Sequence, residues 1–82
     1  MTATRLNPSL NSKTVTGNTG NYSYIQFALS ASTCVVIGIA EPVGYRIVPF
    51  TADGEWMATV CDYEMNPVPN INVTVTCYYF LL

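Results

Sequence analysis

The run Ile71-Asn72-Val73-Thr74-Val75-Thr76-Cys77-Tyr78-Tyr79-Phe80 sets Ile71, Val73, Val75, Cys77 and Tyr79 against Asn72, Thr74, Thr76 and Tyr78. Successive side chains of a strand point to opposite faces. A period of two built from β-branched and aromatic residues therefore demands a long strand with one dry and one wetter face. No stretch shows the 3.6-residue period of an amphipathic helix. A chain anchored on such a strand has to supply further strands to pair with it and a second layer to cover it.

Turn signals divide the rest of the chain. Residues 1–11, with Asn7-Pro8-Ser9-Leu10-Asn11 and no periodicity, read as an extended lead-in or docking arm, and residues 12–82 as the β domain. Thr14-Val15-Thr16 is a short strand closed by Gly17-Asn18-Thr19-Gly20-Asn21, a cluster that tolerates positive φ. Residues 22–29 set Tyr22, Tyr24 and Gln26 against Ser23, Ile25, Phe27 and Leu29. Residues 33–40 are almost continuously apolar, the pattern of a strand covered on both faces, with Gly38 marking a bulge or a close backbone approach. Residues 45–50 contain Pro49, which has no ladder N–H, so that strand lies at an edge or ends there. Asp53-Gly54 joins it to residues 55–61 as a tight hairpin, and residues 62–70, with Pro67 and Pro69, form the longest loop. About six strands so punctuated predict an all-β fold: a small antiparallel β-sandwich, jelly-roll-like. The strand order does not follow from the pattern.

Composition bears on assembly. A chain of 82 residues forms one domain and buries only roughly 60–65% of its unfolded surface. Yet 50% of it is hydrophobic and only 10% charged, where about 25% charged is ordinary. That surplus of apolar surface predicts a homo-oligomer sharing a core between subunits. Tyr78, Tyr79, Phe80 and Leu82 are expected interface residues, because large rings near the end of the long strand suit a subunit seam, and Trp56, one residue into a strand after a tight turn, reads as core or subunit interface.

Charge and residue content exclude several function classes. The net charge is −2, with Arg5, Lys13 and Arg46 as scattered cations, so neither nucleic acid nor an anionic membrane surface is an expected partner. No apolar run approaches the roughly 18 residues of a membrane span, which predicts no membrane insertion. The opening Met1-Thr2-Ala3-Thr4-Arg5-Leu6 lacks the apolar core of a signal peptide, so the expectation is synthesis in the cytoplasm without a cleaved signal. Cys34, Cys61 and Cys77 lie in apolar runs without Cys-x-x-Cys spacing, and the chain has no histidine. They read as buried reduced thiols, with no metal site and no cofactor.

Without histidine there is no Ser-His or Cys-His nucleophile pair. Glu41, Asp53, Glu55, Asp62 and Glu64 all sit at turns and read as solvated carboxylates, so the chain is expected not to be an enzyme. Binding is the better fit. A flat ring complements the apolar face of a sugar, and Tyr carries a polar handle for a half-wet contact. Tyr63, in the loop Asp62-Tyr63-Glu64-Met65, and Tyr45-Arg46, beside the turn at 41–44, are the candidate ligand contacts, together with Asp62 and Glu64.

The segment Ser12-Lys13-Thr14-Val15-Thr16-Gly17, the Gly54-x-Trp56 hairpin and the closing Pro67-x-x-Asn70-x-x-Val73-x-x-x-x-Tyr78-Tyr79 resemble a known group. It is the small C-terminal tip, or receptor-binding, domains of tail-fibre proteins from bacteriophages and prophages of Gram-positive bacteria. The likeness is a pattern of spaced residues over roughly residues 12–82. It implies a trimeric β-rich head located in a virion, attaching to a host-surface carbohydrate and contacting other virion proteins. A tip domain ordinarily follows a long shaft; the short lead-in here implies a separately encoded virion protein or an excised piece. Two other readings are a structural virion component without a ligand (a capsid decoration or fibre-capping trimer) and a bacterial carbohydrate-binding module. The aromatics discriminate: Tyr63 and Tyr45 gathered at the end away from Met1 fit an adhesin, whereas scattered or seam-buried aromatics fit a structural role.

Overall fold

The computed structural model describes residues 9–82, and the expected lead-in lies outside the described residues up to position 8. Six strands follow in order: β1 (Asn11–Asn18), β2 (Tyr24–Ser30), β3 (Cys34–Ala40), β4 (Arg46–Ala52), β5 (Glu55–Cys61) and β6 (Asn72–Leu81). They form two antiparallel three-stranded sheets, β1-β6-β3 and β2-β5-β4. The chain changes sheet at every connection except the β4–β5 hairpin.

The alternation in β6 does what its residue types require. Val73, Val75 and Cys77 are buried, while Asn72, Thr74 and Tyr78 face out. β6 is the central strand of its sheet, paired with β1 from Asn11↔Tyr79 to Asn18↔Asn72. On the outer face this register sets Thr14 against Thr76 and Thr16 against Thr74, with hydroxyl–hydroxyl hydrogen bonds of 2.7 and 2.9 Å. Asn18 Nδ2 donates to Asn72 Oδ1 at 3.0 Å, completing a ladder of matched polar pairs. In the second sheet Ile25, Phe27 and Leu29 of β2, Ile47 of β4 and Ala58 and Val60 of β5 turn inward to meet the first. Phe27, Val60, Val75 and Cys77 are wholly enclosed. Cys34, Cys61 and Cys77 are all buried and free. Burial pushes the Cys77 thiol above its usual pKa range, because the charged thiolate loses its water.

Two expectations need revision. Residues 33–40 were expected to be covered on both faces, but β3 is an edge strand whose Val35 and Ile37 are exposed. The fold has two layers, so every strand of the β1-β6-β3 sheet, central or edge, leaves one face outside the chain's own core. The first strand is also longer than its Thr-Val-Thr centre, because Asn11, Ser12, Lys13, Gly17 and Asn18 all find ladder partners in β6. Other local signals are realised. Pro49 lies in β4, an edge strand. The register shift between Val36 and Gly38 is the expected bulge, and a Cβ at Gly38 would stand 4.0 Å from the Tyr78 ring.

Candidate functional site

The register places the loops. Asn18 pairs with Asn72, Tyr24 with Thr59 and Arg46 with Cys61, so the connections at 19–23, 41–45 and 62–70 gather at one end of the sandwich. At the other end Asn11 pairs with Tyr79, Cys34 with Leu81 and Ala52 with Glu55. There the turn at 31–33 binds both hairpin and C-terminus: Ala31 N donates to Gly54 O, and Leu82 N donates to Thr33 O, each at 2.8 Å. The chain therefore enters β1 and leaves β6 at the end opposite the three loops.

Thr19 fastens those loops together. It is almost wholly buried, at 1% exposure, yet its hydroxyl donates to Val68 O at 2.9 Å and accepts from Ile71 N at 3.1 Å. Its backbone N–H donates to Ile71 O at 2.8 Å, and its carbonyl accepts from Tyr24 N at 3.1 Å. Asn70 N donates to Gly20 O at 2.9 Å. One threonine thus ties the β1–β2 turn to the 62–70 loop with every polar group satisfied.

Tyr63 and Arg46 are brought together, as the neighbouring turns allow. The Arg46 guanidinium lies 5.3 Å from the Tyr63 ring centroid, within cation–π range. Gly44 N donates to the Tyr63 hydroxyl at 2.8 Å. Glu41 is the member that sequence reasoning missed. Its Oε1 lies 3.5 Å from Arg46 Nη1, and its Oε2 accepts from Ile47 N at 2.7 Å. The signal for it was a carboxylate five positions before the arginine, across a Pro-Val-Gly turn.

Asp62 and Glu64 share the loop with Tyr63 but do different work. Asp62 Oδ1 accepts from both Glu64 N and Asn66 N at 2.9 Å, and Asp62 N donates to Asn66 O at 2.9 Å. That carboxylate is an internal turn former. Glu64 is exposed beside it. Tyr45 packs its ring against the core and offers only part of itself to solvent. Tyr22, at 83% exposure in the β1–β2 turn, is the most exposed ring at this end, and Tyr63 follows at 62%.

The residues expected at a subunit seam divide in two. Trp56 and Tyr79 pack against the chain's own core, and Trp56 Nε1 donates to Cys34 O at 2.9 Å, tying one sheet to the other. Tyr78 and Phe80 lie on the outer face of the β1-β6-β3 sheet, with Leu82 exposed beyond its end. With Val35 and Ile37 of β3 they make an apolar surface, while the β1 side of the same face carries the Thr and Asn ladder.

Comparison with family models, with curated proteins and with solved structures finds no match.

Proposed function

We propose that this chain is a homotrimeric tip module of a phage or prophage tail fibre that attaches a virion to a neutral host-surface carbohydrate. The observation that carries the reading is polarity: three braced loops with exposed Tyr22 and Tyr63 sit opposite the end where β1 begins and β6 finishes. A module tethered at one end and reading a surface at the other needs that arrangement. The β-sandwich and the resemblance of residues 12–82 to fibre tips support it.

Glu41 is engaged by Arg46 and Ile47, and Asp62 by its own loop, so both serve to shape the loops. A second copy is the natural cover for Val35, Ile37, Tyr78 and Phe80, since contiguous exposed apolar surface marks interaction sites. Weak individual sites then gain strength from threefold presentation.

Light scattering on a sizing column, followed by retention on immobilised surface polysaccharides of Gram-positive bacteria, tests the reading. The expected result is a particle three times the 9.0 kDa chain that a neutral polysaccharide retains. A monomer overturns the trimeric tip. A trimer that no polysaccharide retains leaves the structural virion component, a capsid decoration or fibre-capping trimer, as the function.

A further inference from the structure

Among the described residues each sheet has three strands, so β1 and β2 are edges of opposite sheets, joined directly by the turn at 19–23. Lys13 Nζ bridges them by donating to Ala28 O at 3.3 Å, and between that bridge and the turn the sandwich stands open. A cleft of about 420 Å³ runs along Val15–Gly17, through the turn, to Tyr24–Gln26. Gly17 shows how little fills it. It lies opposite buried Val73 on the inward side of β1, where a strand normally packs a side chain, yet a Cβ built there meets nothing within 4 Å. Gly20, at the turn, is equally open.

The lining has a definite chemistry. Val15 and Ile25 supply apolar surface, and Tyr22 supplies a ring. Among the described residues, the side chains of Asn18 and Thr19 are engaged by the fold, but those of Asn21, Tyr22, Tyr24 and Gln26 make no hydrogen bond. The turn residues Asn21 and Tyr22 therefore leave a free amide and a free phenol at an unfilled, partly apolar volume of the size small ligands occupy, while Tyr24 and Gln26, on the outward face of β2, border its rim. Among the described residues no Lys, Arg, Asp or Glu lines it, and Lys13, on the same side of β1, is engaged by Ala28 O. Such a lining offers a phosphate or carboxylate no charged partner, whereas hydroxyls and a C–H face match an amide and a ring. The Tyr63–Arg46–Glu41 group contrasts with it, because it is charged and its carboxylate is already taken by Arg46 and the Ile47 N–H.

We infer that the β1–β2 cleft, bounded by Asn21, Tyr22, Tyr24 and Gln26, is the seat for one uncharged hexose or N-acetylhexosamine unit of the surface carbohydrate. This rests on the carbohydrate-binding reading above and locates it away from the Tyr63 loop. The Tyr22 ring takes the C–H face of the sugar, the Asn21 amide takes its hydroxyls, and the open space at Gly17 admits its ring.

Two-dimensional amide NMR of the full chain, titrated with glucose, galactose and N-acetylglucosamine and in parallel with glucose 1-phosphate, tests it. The expected result is saturable shifts at residues 17–26, including the Asn21 side-chain amide, with an uncharged sugar. Tyr22→Ala, at an exposed position the fold does not use, then weakens binding about tenfold, and Gly17→Leu abolishes it by filling the cleft. Saturable shifts confined to residues 41–46 and 62–66 overturn the cleft while leaving the carbohydrate reading intact. Binding of the sugar phosphate in preference to the neutral sugars overturns the assigned ligand class. Absence of saturable shifts with every sugar overturns both inferences.

Discussion

At the scale of single residues, Thr19 shows how a small side chain sets the geometry of a whole end of the molecule. Its hydroxyl is both donor, to Val68 O, and acceptor, from Ile71 N, inside a site closed to water. Removing it strands two buried backbone groups, and each such loss costs about 1–3 kcal/mol. Thr19→Val keeps the shape and deletes the bonds, so it is expected to destabilise by about 2 kcal/mol, or roughly 8–16 °C in Tm for a domain this small. Thr19→Ser retains the hydroxyl and should recover most of that loss. Thermal unfolding of the two variants beside the parent checks both halves. Nothing in the sequence marked Thr19 apart from Thr14 or Thr16, whose hydroxyls pair on the wet face. Its role depends on residues 49 and 52 positions later, and a local pattern carries no such information.

At the scale of elements, local signals were legible wherever the determining physics is local. Asp53 and Gly54 adopt φ of 51° and 77°, the left-handed pair that a two-residue hairpin requires, and Ala52 pairs with Glu55 across it. A Cβ at Gly54 meets nothing within 4 Å, so substitution there tests backbone conformation alone. Gly54→Ala should cost about 1–2 kcal/mol, and Gly54→Asn clearly less, because asparagine visits this conformation more readily. Equilibrium urea unfolding reads the difference. β6 was equally legible, since its period of two reports which face is dry. β3 was not. A run such as Cys34-Val35-Val36-Ile37 reads alike whether its second face meets a layer of the same chain or none, and only the number of layers in the fold decides. The candidate site was half legible for the same reason. Tyr63 and Arg46 were visible as turn residues, but Glu41, which holds the arginine, and Tyr22, which rims the cleft, take their roles from the folding of three loops to one end.

At the scale of the whole molecule, the two halves of the β1-β6-β3 outer face make opposite demands. The β1 side satisfies itself through side-chain pairs, whereas Val35, Ile37, Tyr78 and Phe80 leave ring and aliphatic surface uncovered. Within the trimeric reading, the double variant Val35→Ser, Ile37→Ser is expected to yield a folded particle of 9.0 kDa by light scattering, with its β-sheet circular dichroism retained. A particle of unchanged mass would place the contact elsewhere. The sheet order also has a consequence for biosynthesis. Both neighbours of β6 are made long before it: Asn18 precedes its partner Asn72 by 54 positions. At roughly 5–20 residues per second, β1 leaves the ribosome several seconds ahead of the strand that completes it. The nascent chain must carry those unpaired edges in the meantime, and chaperone engagement of the unfinished polypeptide is the natural protection.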